Sequence, residues 1–337
     1  MGSVLELETK VIDLALAEPF SIAHVTWEKA TNVFVKVSYE EQFGSGEVSP
    51  DDRWGETPDS VVKELLELDL SELDGPFDLE GLSRSLPPGS ARAALDIAMH
   101  DLAAKIAGVS VREMLGLGRA APPPTCITVP ITDPDSMARR AEKHRHFPAI
   151  KTKVGFEGDV EAVAAIRSVF DGRIRVDANE GWDIDTAIDR LTSLAPFDIE
   201  LCEQPIPKGD LEGLRRVTEA SPIPVFADED VGGAHDVARL VGRVDGVNLK
   251  LRKAGGIREV VKSIATARAH DLGVMIGCDL ESGIAATAGA SVASLCDFVD
   301  LDGPLLLARD PHPGVRYRDG RLELPPGPGL GIESLPW

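Results

Sequence analysis

The chain is poor in cysteine and in positive charge, and each shortage excludes a class of function. Its four cysteines, Cys126, Cys202, Cys278 and Cys296, are scattered with no CxxC pair, so no zinc site is expected. Three of them fall in apolar, strand-like runs and read as small buried hydrophobes of a reducing cytoplasm. Lys and Arg total 35 against 56 Asp and Glu, a formal charge of −21. Nucleic acid and anionic membrane surfaces need basic patches and are excluded as partners. No run of 18 apolar residues occurs, so nothing is expected to span a membrane. The N-terminus "MGSVLELETKVIDLAL" lacks a basic segment followed by an apolar one, so no secretory signal is expected and a cytoplasmic location is.

What is present suits an ordered protein: 43% apolar and 27% charged residues over 337 positions, enough for one large domain and a smaller partner. Residues 4–17 and 32–39 alternate like strands, with "EPFSIAHVTWEKAT" as their connection. Helical patterns follow near 58–67 and 89–107, the second with Ala94, Ile97, Ala98 and Leu102 on one face and Gly108 at its end. "GLGRAAPPPT" (116–125) then breaks all pattern and marks a domain boundary. Beyond it, apolar strands recur at 125–130, 149–154, 173–178, 199–204, 223–228, 246–251, 273–278 and 297–302, with amphipathic helical stretches between them. Eight strands at roughly 25-residue spacing are the sequence form of a (β/α)8-type barrel. A doubly wound sheet would want a Gly-rich phosphate loop after its first strand, and "TCITVP" leads instead to "ITDPDSM". The expected fold is therefore α/β, a modified (β/α)8-type barrel. An N-terminal α+β capping domain spans 1–120, the barrel 121–310, and a loop-rich segment, 311–337, returns to the cap.

Such barrels place their chemistry at the C-terminal ends of the strands. Strand two, "AIKTKVG", puts Lys151 and Lys153 on one face. Strands three to five end in Asp177 (with Asn179 beyond it), Glu203 and Asp228. Strand six carries Lys250, and strand eight carries Asp300 and Asp302 on one face. Asp177, Glu203 and Asp228 come one per strand, at matched depth. Three hard oxygen ligands without His or Cys suit Mg²⁺, with Mn²⁺ as the alternative. The competing account is a set of structural salt bridges to the lysines. Strands two and six lie on different sides of a barrel, so Lys153 and Lys250 flank whatever the metal holds. As bases they must shed a proton, and neighbouring cations such as Lys151 and the metal lower a lysine pKa. Two opposed bases can remove a proton from one face of a carbon and return it to the other. A Schiff-base barrel would also use an inward lysine but needs no carboxylate trio. A non-catalytic binding protein would have no use for paired bases.

KxK at 151–153, "DANEGW", "EQP", "ADE" and "NLKLRKAGGI" resemble, in this order and over nearly the whole chain, the muconate-lactonising subgroup of the enolase superfamily. (That superfamily's lysine base and Mg²⁺ are a stock example of tuned acid–base chemistry.) "DLDGP" is similar to the Asp-x-Asp motif by which dipeptide epimerases hold a substrate ammonium. The resemblance implies a Mg²⁺-dependent isomerase that inverts the α-carbon of the C-terminal residue of an L,L-dipeptide by two-base proton transfer through a metal-stabilised ene-diolate. It makes Lys153 and Lys250 the bases, supported by Lys151, Asn179 and Glu229. Asp177, Glu203 and Asp228 become the metal ligands. Substrate contacts would come from Asp300, Asp302, Thr128, Cys278, Asp279 and Leu280, and from Ile22, His24 and Val25 in the capping loop. The alternatives within the subgroup are N-acylamino acid racemase, cycloisomerase and o-succinylbenzoate synthase; an Asp pair that merely caps the next helix would leave them open. The partner is a small molecule, and a homo-oligomer is compatible.

One departure bears on specificity. Relatives selective for Ala-Glu carry a capping-loop arginine, and "FSIAHVTWEKA" has none near Ala23–Thr26. Asp51, Asp52, Asp230 and Asp279 suggest an acidic mouth, and Ile22, Trp27 and Trp54 an apolar one. Ala-Glu is therefore expected to be a poor substrate, with hydrophobic or cationic second residues preferred.

Overall fold

The structure is a computed structural model that describes residues 4–118, 120–333 and 335. Residue 119 of the expected boundary and residues 1–3, 334, 336 and 337 of the expected outer segments lie outside it.

An antiparallel sheet opens the chain: β1 (Glu6–Ser21), β2 (Thr26–Tyr39) and β3 (Gln42–Val48) in sequential order. The first two strands run farther than their alternation indicated. Phe20 pairs with Trp27 and Ser21 with Thr26, so the long expected connection shrinks to the turn Ile22–Val25. A register shift between Ala15 and Phe20 breaks the two-residue period there, which is why the pattern stopped short. Strand β3 is an addition, hidden in the sequence because it is glycine-rich. A Cβ at Gly44 would stand 1.9 Å from the Ala98 carbonyl, and one at Gly46 1.9 Å from that of Ala94. These glycines let β3 lie directly on the helix Ser90–Ala107.

That helix is buried on every side from Ser90 to Ala104, because it is wedged between the capping sheet and the barrel. Its polar residues tie the two together. Arg92 donates to the carbonyls of Ala254 (2.7 Å) and Gly255 (3.2 Å), and Asp96 accepts from the amide of Ile257 at 2.5 Å. His100 lies beneath, its Nδ1 3.2 Å from Asp96 Oδ1. Burial opposes a charge on His100, but the Asp96 carboxylate outweighs it and raises the imidazole pKa. A raised histidine stabilises the fold fully below its unfolded value of about 6.5, and that contribution is lost as pH climbs through the folded value. The stability gap between wild type and His100→Gln should therefore narrow from about pH 6 to pH 9 in thermal melts. A gap that stays constant would mean that His100 is buried neutral.

Strands β4 (Ile127–Val129), β5 (Ala149–Lys153), β6 (Arg173–Asp177), β7 (Ile199–Glu203), β8 (Val225–Ala227), β9 (Gly246–Lys250), β10 (Gly273–Gly277) and β11 (Phe298–Asp300) form one parallel sheet in strict sequence order. Each falls within an expected span. The ends meet through the Thr125–Val299 bridge, where the Cys126 amide donates to the Val299 carbonyl at 3.2 Å. This bridge marks the barrel's seam. Leu201, Phe226 and Met275 fill the barrel floor, with Phe298 packed edge-on against Phe226 at 5.5 Å. The larger apolar core lies outside, between strands and helices. After a short hairpin, β12 (Arg316–Arg318) and β13 (Arg321–Glu323), the chain reaches the cap: the Leu330 amide donates to Asp101 at 2.7 Å. Among the described residues no helix is long and apolar enough to cross a membrane.

Candidate active site

Strand register sets the depth of each polar side chain. Lys153 is level with Asp177, and Asp177 with Glu203. Glu203 is level with Phe226, however, so Asp228 stands one inward position higher than the matched spacing suggested. Strand tilt in a barrel makes such a stagger unavoidable. Thr128 is level with Lys151, and Lys250 with Gly277 and hence Asp300.

At the strand ends these groups interlock. Lys151 Nζ lies 2.8 Å from Glu203, 2.8 Å from Asp300 and 3.0 Å from Asp177, while Lys153 Nζ donates to Asp177 at 2.6 Å. Lys250 Nζ, from β9, is 3.1 Å from Asp228 and 3.6 Å from Asp279. The β5 and β9 strands stand four apart in an eight-stranded ring, so Lys153 and Lys250 flank the centre from opposite sides.

The charges do not balance evenly. Burial would raise Asp177, but Lys151 and Lys153 hold it at about 2, and Lys250 and Lys253 overcome the same penalty at Asp228 and hold it well below the usual range. Burial and the charge of Asp177 push Glu203 up to about 8; burial and Asp228 push Glu229 to about 7. Lys250 is pulled both ways. Burial favours its neutral form, yet Asp228 and Asp279 raise it well above the ordinary lysine value. Lys151 is raised in the same way, against burial, by Asp177 and Asp300.

Among the described residues no trio of His, Cys, Asp or Glu is gathered tightly enough to grip an ion as it stands; Lys151 bridges two of the carboxylates instead. The residues nonetheless fit a divalent cation. All three carboxylates are buried, Glu203 Oε2 receives no hydrogen bond although Lys151 lies near it, and the donors are all oxygen. Asn248 donates to Glu203 Oε1 at 2.7 Å and orients it.

Above the carboxylates opens a cavity of about 540 Å³. Of the sequence candidates, Lys151, Lys153, Lys250, Asn179, Thr128, Cys278, Asp279, Leu280, Asp300, Asp302 and Ile22 line it. His24 and Val25 do not: the His24 ring is bonded to the Asn179 carbonyl at 3.0 Å, and Val25 closes the capping turn. Asp300 and Asp302 are not equivalent. Asp300 takes Lys151 at 2.8 Å and the Cys126 thiol at 3.1 Å. Asp302 accepts from Thr128, through its amide at 2.6 Å and its side chain, with a distant thiol contact from Cys278, and burial beside Asp300 lifts it to about 7. Although Asp302 precedes the helix Gly303–Leu306, its side chain makes no cap hydrogen bond.

The expected acidic mouth is neutralised at Asp51, Asp230 and Asp279, while Asp52 stays exposed on the cavity wall. Arg252 is buried and donates to Asp279 at 2.7 Å, while reaching Glu56 (3.3 Å) and Asp51 (3.8 Å). Arg53 pairs with Asp51 at 3.2 Å and stands 3.7 Å from Glu229. Asp230 is occupied by Gln204 and the Gly209 amide, both at 2.8 Å. Trp54 lies under Lys208, its ring 4.1 Å from the ammonium. Arg252 and Lys253, the latter hydrogen-bonded to the carboxylate and carbonyl of Asp228, were not anticipated. Both follow β9 in a four-residue helix, Leu251–Ala254, where neither strand nor helix periodicity can assign a face.

Residues 6–116 match the N-terminal domain of mandelate racemase and muconate lactonizing enzyme, and residues 135–336 match the enolase C-terminal domain-like family. The chain belongs to this enolase superfamily. It is 37% identical, over 99% of its length and 89% of the relative's, to an L-Ala-D/L-Glu epimerase of Bacteroides thetaiotaomicron. It is 34% identical to a hydrophobic dipeptide epimerase of Roseobacter litoralis (97% and 98% covered). Among solved structures, a dipeptide epimerase from Cytophaga hutchinsonii complexed with Mg and D-Ala-L-Val superposes with a TM-score of 0.92 at 34% identity, covering all of this chain and 97% of that one.

Proposed function

We propose that this protein is a Mg²⁺-dependent dipeptide epimerase, an isomerase acting at the α-carbon of the C-terminal residue. The observation that carries the reading is Asp302: a buried carboxyl on the cavity wall, without a cation of its own and raised to about 7. A substrate ammonium group would supply the missing charge. A substrate without one would leave a buried acid uncompensated, at a cost of about 1–3 kcal/mol.

Asp177, Glu203 and Asp228 would hold the ion, which when bound supplies the positive charge that makes a proton beside a carboxylate acidic enough to remove. The remaining work belongs to the lysines. Lys153, packed over the Phe20 ring at 6.0 Å, and Lys250, opposite it, address the two faces of the α-carbon. Each lysine removes the proton from one face in one direction of the reaction and delivers it to that face in the other. Phe20, Ile22, Trp27 and Leu280 form an apolar wall. With Asp51 and Asp279 already paired to arginines, that wall favours a hydrophobic over a cationic C-terminal residue.

The test is α-deuterium exchange in D₂O, read by mass, for Ala-Leu, Ala-Phe, Ala-Lys and Ala-Glu and their N-acetyl forms. Ala-Leu and Ala-Phe should lead, and N-acetylation should lower kcat/KM by roughly tenfold or more. Equal rates with free and acetylated substrates would favour an N-acylamino acid racemase instead.

A further inference from the structure

A second cavity, about 750 Å³, lies against the first. It runs along the barrel seam beside β4, between the helix Pro134–Lys143, the β1 segment Ala17–Phe20 and the short helix Gly303–Leu306. Phe20, Thr128 and Leu306 line both cavities, so these three residues stand between them. Its catalytic side adjoins Asp302, to which the Thr128 amide is bonded at 2.6 Å.

We propose that the pocket for the N-terminal residue's side chain extends across this partition into the seam cavity, so that the enzyme's substrates include dipeptides with large apolar N-terminal residues. The inference rests on the reading that Asp300 and Asp302 receive the ammonium group. An N-terminal residue anchored there directs its side chain at Thr128, Phe20 and Leu306. A wall backed by packed core resists enlargement, because neighbouring side chains have nowhere to go. This wall is backed by open space. The lining behind it includes Ile127, Pro130 and Leu305, and Leu305 remains 38% exposed as an apolar lip. The lining also carries charge on three sides, Arg139, Arg140 and Lys143 on the helix, Glu18 on β1 and Asp319 in the β12–β13 turn; of these, Arg140 and Glu18 are paired at 2.5 Å.

The proposal is tested with Gly-Leu, Ala-Leu, Leu-Leu and Phe-Leu, assayed with wild type and with Ala17→Trp and Ser136→Phe. The two substitutions fill the seam cavity from opposite walls, and neither residue lines the catalytic cavity. Wild type should turn over Leu-Leu and Phe-Leu at least as well as Ala-Leu. Either filler should lower kcat/KM for the large substrates by about tenfold or more, with Gly-Leu and Ala-Leu changed less than about twofold. A wild type that prefers Ala-Leu over Leu-Leu by about tenfold would overturn the proposal, as would fillers that slow all four substrates equally. Exchange with none of the dipeptides would instead refute the epimerase reading on which the proposal rests.

Discussion

Lys153→Ala and Lys250→Ala should each abolish epimerisation, with kcat falling by about 10³ or more, since general acid–base groups contribute about 10²–10⁴ each. Inversion needs a proton removed on one face and another delivered on the opposite face, and the two lysines sit across an eight-stranded ring. Neither can reach the other's face without crossing the substrate. The two variants should differ in isotope exchange. Each keeps one lysine, so each should still wash deuterium into one epimer, and the two should choose opposite epimers. A Lys250→Ala enzyme that epimerises at the wild-type rate would refute the two-base mechanism. Loss of exchange with both epimers in both variants would show that the lysines act as a unit, through the carboxylates they share. Folding is a lesser concern at Lys250, which keeps some exposure, than at Lys151, which touches three carboxylates and is buried.

Much of this arrangement was readable from the sequence because a barrel strand translates order into position. A polar residue at the end of an apolar run lands at the mouth whatever its neighbours do, so Lys151, Lys153, Asp177, Glu203, Asp228, Lys250, Asp300 and Asp302 come together as their strands implied. What sequence could not supply were pairings made across the chain. Asp51 and Asp279 looked like free acids, but Arg252 reaches both from a helix too short for periodicity to orient. The strand β3 was missed because its glycines answer to a helix some 50 residues later rather than to any local rule. His24 bonds to the Asn179 carbonyl, 155 residues away, a pairing no local pattern announces.

Removing divalent ions should be as damaging as losing a lysine. Exhaustive chelation should eliminate turnover, and Mg²⁺ should restore it, with Mn²⁺ as the next candidate. Asp177, Glu203 and Asp228 are packed together in the barrel mouth, where burial and mutual repulsion push Glu203 to about 8. An ion taking this place has to displace Lys151 from Asp177 and Glu203. That movement is short, because the same ammonium already holds Asp300 at 2.8 Å and can remain on it. Asp228 carries Lys253 on Oδ1 and has Lys250 3.1 Å from Oδ2, and with Asp177 and Glu203 it would hold the ion. Binding should be visible without any assay: at a hundredfold excess over Kd, Mg²⁺ should stabilise the fold by about 2.7 kcal/mol and raise Tm. Glu203→Gln keeps the shape and the Asn248 contact but removes a charge, so it should lose both the Tm shift and turnover. Asp228→Ala is the poorer test, because it strands the buried Lys253 without its carboxylate. Full turnover in verified metal-free enzyme would show that the three carboxylates serve the lysines as structural counter-ions and nothing more.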